Sequence, residues 1–132
     1  MSFAQAAYDI RCEWGLSGIA ALASSVDVLV IVDVLSFCTC VEIATTRGAV
    51  ILPYPLKDHS AERLAFQEGA ELARPRGRGG YSLSPASYLT VPAGTRIVLP
   101  SPNGASLSLA TGRTPTLAGC LRNAAAVARA AN

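Results

Sequence analysis

The chain has 132 residues, of which 51% are hydrophobic and 15% charged, and its formal net charge is +2. That length suits one domain with a genuine core, and so apolar a composition excludes an intrinsically disordered chain. The charge is too small for a nucleic-acid-coating surface, and no apolar run reaches the length needed to span a bilayer. Met1–Ala7 lacks a basic start and a cleavage signature, so the expectation is a soluble cytoplasmic protein with neither membrane nor nucleic acid as partner. The apolar surplus predicts that another copy covers part of the surface, a homo-oligomer with a dimer as its simplest form.

In chain order, Tyr8–Glu13 reads as a strand and Gly15–Ala23 as a short helix. Val26–Val34 is apolar enough for a central strand buried on both faces. Phe37–Thr46 reads as a helix closed by Gly48, and Ala49–Leu52 as a strand stopped by Pro53 and Pro55. Asp58–Glu68 is the clearest amphipathic helix, with Asp58 at its start and Gly69 at its end. Glu71–Ala73 is a short strand. Between Arg74 and Gly94 the prolines, glycines and serines give loop chemistry without periodicity. Thr95–Leu99 resumes as a strand, followed by the turn Pro100–Gly104, a helix over Ala105–Ala110, a strand over Thr116–Gly119 and a terminal helix over Asn123–Ala131. Strand and helix alternate through one domain, residues 1–132. The fold class is therefore α/β, a three-layer α/β/α sandwich with a mostly parallel or mixed sheet.

Cysteine and histidine narrow the chemistry. Cys38 and Cys40 are two apart in a predicted helix, a spacing that suits neither a disulfide nor a zinc knuckle, so buried packing is their expected role. A single histidine, His59, rules out multi-histidine zinc sites. Neither a GxxxxGK[ST] loop nor a GxGxxG turn is present.

Three strand-to-loop crossings carry the polar residues that remain. The first ends at Asp33 and runs on to Ser36. The second is Ser101-Pro102-Asn103-Gly104-Ala105-Ser106, and the third is Gly119-Cys120-Leu121-Arg122-Asn123. In a mainly parallel sheet they converge at one edge, bringing together a carboxylate, hydroxyls, backbone amides and helix starts. That donor set suits a divalent metal and a phosphate, and equally suits ordinary capping and turn formation. Asn123 could cap the last helix. Arg74, Arg76 and Arg78 form the one local basic cluster, either a solvated loop or an anion-binding one.

In order and spacing, from about Val28 to Asn132, these segments resemble the 2-phosphosulfolactate phosphatase family. Members carry V-I-D-V-L-R-A-[ST]-T-T, a G-E-R-G-G loop, N-S-P, N-G-T-R-A and a late helix opened by N-A. Here they read Val32-Asp33-Val34-Leu35-Ser36-Phe37-Cys38-Thr39, Gly77-Arg78-Gly79-Gly80, Leu83-Ser84-Pro85, Asn103-Gly104-Ala105-Ser106 and Asn123-Ala124. The match covers roughly the N-terminal half of such proteins. The resemblance implies an α/β/α fold and a magnesium-dependent hydrolysis of a small anionic phosphoester such as 2-phosphosulfolactate, a step toward coenzyme M. On it Asp33 contacts Mg2+ or positions water. Asn103 and Gly104 line the phosphate pocket, with Ser36, Ser101 and Asn123 at the same crossings, and Arg78 faces the anionic substrate. Three charges depart from the pattern. Ser36 replaces an arginine, Gly77 a glutamate and Ser106 an arginine. Each lost contact to a phosphate dianion is worth on the order of 1.5–3 kcal/mol. The alternative is accordingly a catalytically inactive relative that serves as a small-molecule-binding or oligomeric assembly module.

Overall fold

The computed structural model describes residues 4–132, so part of the Met1–Ala7 reading lies outside the described residues. In chain order the elements are α1 (Gly15–Leu22), β1 (Leu29–Val32), α2 (Phe37–Thr46), β2 (Val50–Tyr54), α3 (His59–Gln67), β3 (Glu71–Leu72), β4 (Arg96–Pro100), α4 (Gly104–Leu109), β5 (Thr116–Gly119) and α5 (Ala124–Ala131). Short 3-10 turns sit at Ala23–Ser25 and Pro85–Tyr88. The fold is α/β, and every strand pairing is parallel. One sheet joins β1 to β5; the other has the order β2-β4-β3. Among the described residues no helix is long and apolar enough to cross a membrane.

The central strand β4 explains the layering. It is hydrogen-bonded on both sides, and Ile97, Val98 and Leu99 are wholly buried. Because successive side chains point to opposite faces, Ile97 and Leu99 enter the main core with Phe37, Cys40 and Tyr88. Val98 joins Ala61 and Ala65 of α3 in a smaller core on the other face. Helix α2 ends where Gly48 takes φ +83°: its N–H reaches Thr45 O at 2.9 Å, and Ala49 N reaches Ala44 O at 3.0 Å. This left-handed closure turns the chain directly into β2.

Three expected strands differ. The strand expected to stop at Pro53 runs through it to Tyr54, because β2 lies at the sheet edge, where a proline is tolerated. Tyr8–Glu13 forms no strand: the Cys12 N–H and carbonyl and the Tyr8 carbonyl meet side chains instead of a ladder. Gln5 exchanges hydrogen bonds with the Cys12 backbone, and the Arg11 guanidinium donates to the carbonyls of Ala4, Tyr8 and Ser25. Ile10 is left 91% exposed. The apolar run Val26–Val34 contributes only four residues to β1, and they alternate: Leu29 and Ile31 point inward, whereas Val32 is 68% exposed. Among the described residues its hydrogen-bonded neighbour is β5 alone, so β1 is not a central strand buried on both faces.

Candidate active site

Asp33 follows the last residue of β1, and the first turn of α2 forms around it. Its carbonyl accepts the Cys38 N–H at 2.9 Å, and the next carbonyl, Val34, accepts Thr39 Oγ1 at 2.6 Å. The carboxylate is half-buried and meets the second crossing directly. A Cβ placed on Gly104 would lie 2.7 Å from Asp33 Oδ2 and 2.3 Å from Phe37 Cδ1. Only a residue without a side chain lets the start of α4 approach this closely. Ser101, buried before that turn, donates its N–H to Tyr54 O at 2.9 Å and so ties the crossing to the end of β2. Asn103 is exposed, and its side chain makes no capping bond.

The third crossing lies beside the first because the parallel register sets Val32 opposite Gly119. Asn123 does not cap α5 with its side chain. Its Oδ1 accepts Cys120 N–H at 2.8 Å and its Nδ2 donates to Ala118 O at 2.9 Å, which closes the turn on itself. Arg122 reaches back to α2, donating to the largely buried Glu42 carboxylate at 2.7 Å.

Ser36 is buried, three residues beyond Asp33, and follows a cis peptide bond from Leu35. Its hydroxyl donates to Leu83 O and accepts from Arg76 Nη2 at 2.9 Å. Arg76 also donates to Leu83 O, from Nη2 at 2.8 Å and from Nε at 3.2 Å. The glycine-rich loop is thus latched onto the Asp33 turn by Arg76. Arg78 instead lines a groove of about 1370 Å³ that also includes Arg76 but neither Asp33, Ser36, Asn103, Gly104 nor Asn123. Of the residues expected from the sequence, the structure therefore gathers Asp33, Gly104 and Ser36, fixes Ser101 and Asn123 in the adjoining turns, and places Arg78 elsewhere. Arg76 is the residue that sequence reasoning missed. Its signal was weak, one of three alternating arginines in a loop.

Cys38 and Cys40 are fully buried on α2. Burial pushes both thiols up to about 11, with hydrogen bonds to Cys38 from the Asp33 backbone and to Cys40 from Ser36 opposing the rise. At neutral pH such thiols are protonated, and both side chains pack in the main core. Among the described residues no group of three or more His, Cys, Asp or Glu side chains could hold a metal ion. Asp33 is the one carboxylate in the three crossings. A lone carboxylate fits Mg2+ only in the way phosphate-handling sites use it, with the substrate's phosphate oxygens and water completing the shell.

Set against known protein families, curated protein sequences and solved structures, the chain finds no match among them.

Proposed function

We propose that this chain is a magnesium-dependent phosphatase acting on a small anionic phosphoester, with Asp33 at its centre. The observation that carries this reading is the convergence at Asp33. The carboxylate abuts the glycine that opens α4, and a guanidinium is docked three residues further on at Ser36. The resemblance to 2-phosphosulfolactate phosphatases supports it. Where that pattern has an arginine at position 36, this chain has a serine that receives Arg76 from the loop, so a cation returns to the same place by another route.

In this mechanism Mg2+, when bound, neutralises phosphate charge and orients water. The residues do the rest. Asp33, at the end of β1, would hold Mg2+. The Asn103-Gly104 turn offers backbone amides to phosphate oxygens. Arg76, which pairs with no carboxylate among the described residues, would add positive charge beside the phosphate. The test is phosphate release from 2-phosphosulfolactate and a panel of small phosphoesters, with magnesium and with chelator. Turnover that needs magnesium and falls at least about a hundredfold in Asp33→Asn is the expected result. A folded protein that releases no phosphate from any of them overturns it.

A second reading, a non-catalytic binding or assembly module, draws on one observation. The polar atoms of Asn123 and the Ser36 hydroxyl are already spent on the protein's own backbone and on Arg76.

A further inference from the structure

We propose that the groove bounded by α3, β3 and the 73–83 loop is a binding site for a small, multiply charged anion, separate from Asp33. Binding here does not require hydrolysis at Asp33.

The first argument is charge. Lys57, Arg74, Arg76 and Arg78 line the groove, and among the described residues none of them pairs with a carboxylate. Two of the groove's three acids are committed. Glu62 holds His59 at 2.9 Å, and Asp58 accepts the Ser60 N–H at 2.9 Å at the start of α3. With Glu71 the groove carries three carboxylates against four cations, a surplus of one positive charge while His59 is neutral. Like charges gathered around a concavity repel one another, and a polyanion placed among them relieves that repulsion while gaining several charge-assisted hydrogen bonds.

The second argument is shape. The cations come from two separate segments, the link before α3 and the glycine-rich loop, and line a common concavity with Leu72 and the end of β4. Tyr81 forms part of the wall and is held by stacking on the buried Tyr88, centroids 5.3 Å apart and rings 17° from parallel. The loop's ends are joined by Arg74 N–H to Tyr81 O at 2.8 Å. The volume, about 1370 Å³, exceeds the roughly 300–1,000 Å³ of ordinary small-molecule sites. Charge therefore selects the ligand more than close fit does: one with two or more carboxylate, phosphate or sulfonate groups can meet cations from both segments. Guanidinium forks match such groups bidentately.

The test is calorimetric titration of the full chain, in metal-free buffer, with citrate, pyrophosphate and a benzene disulfonate as probes. One saturable site is expected, weakening as salt rises. Arg74→Gln and Arg78→Gln, both exposed and with no side-chain partner among the described residues, should each weaken binding about tenfold while leaving the fold intact. Asp33→Asn should leave the affinity unchanged. Absence of saturable binding to any probe overturns the proposal. So does an equal loss in Asp33→Asn, which would make groove and crossing one site. Tight oligonucleotide binding with no response to the small probes overturns it in favour of a nucleic-acid surface.

Discussion

The Asp33 crossing and the arginine groove share Arg76 but are built in opposite ways. At the crossing, backbone meets backbone: Gly104 packs on Phe37, Ser36 and Ser101 are buried, and the polar atoms of Asn123 are satisfied in place. In the groove Lys57, Arg74, Arg76 and Arg78 are exposed, and among the described residues none of them pairs with a carboxylate. The first arrangement fixes geometry and leaves little free charge. The second leaves basic side chains free in solvent. A site that must position a reacting group needs the former, and a site that must collect an anion from solution needs the latter.

The sharpest way to break this contrast is at Gly104. Gly104→Ala forces a methyl group into Phe37 and the Asp33 carboxylate, and should destabilise the fold by about 1–3 kcal/mol in denaturant unfolding. An exposed groove change such as Arg78→Gln should stay within about 0.5 kcal/mol. Equal midpoints for the two variants would mean that the crossing is not the rigid partner.

Next in size is the latch that joins the regions. Ser36→Ala removes the hydroxyl between Arg76 and Leu83, and should cost about 1 kcal/mol while raising amide exchange in residues 76–84. Unchanged stability and exchange would show that Arg76 is held by the Leu83 carbonyl alone.

What could be read from the chain follows the same division. Helix α2 and strand β5 have the bounds their periodicity predicts, since both are set by local pattern. Convergence of the crossings at Asp33 follows from parallel pairing, which strand–helix alternation implies. The 74–94 loop was opaque, because its order is tertiary. Tyr88 and Val91 are buried there without any periodic apolar run to announce them. Arg76 was equally opaque, its partners lying 40 residues back at Ser36 and across the loop at Leu83. The strand expected at Tyr8–Glu13 failed because composition alone cannot say whether a neighbour exists to pair with it.

The stacked tyrosines beneath the groove offer a smaller effect of opposite sign. Tyr88 is fully buried, its hydroxyl has no hydrogen-bond partner among the described residues, and burial pushes its ionisation up. Removing an unsatisfied buried hydroxyl relieves a desolvation penalty, so Tyr88→Phe should raise stability by up to about 1 kcal/mol. A loss of stability instead would mean that the hydroxyl has found a water, and that the groove's wall is wetter than its packing suggests.

The smallest effect is at the groove's rim. His59 Nδ1 lies 2.9 Å from Glu62 Oε2 in the first turn of α3. The Glu62 hydrogen bond and charge raise the histidine's pKa above 6.5, assisted by Asp58 and opposed by Arg63. A raised folded-state value means that the pair's stabilisation is fully present below the unfolded value near 6.5 and fades as pH rises through the folded one. Both side chains are exposed, so the stability change is slight. Its clearer readout is ligand affinity. Protonation adds a cation to the groove, so a benzene disulfonate, which does not itself titrate in this range, should bind more tightly as pH falls through the histidine's pKa. In His59→Gln that rise should flatten, while binding at high pH stays as in the parent. If the rise persists in the variant, the added charge comes from another group and the rim histidine is a bystander to the anion site.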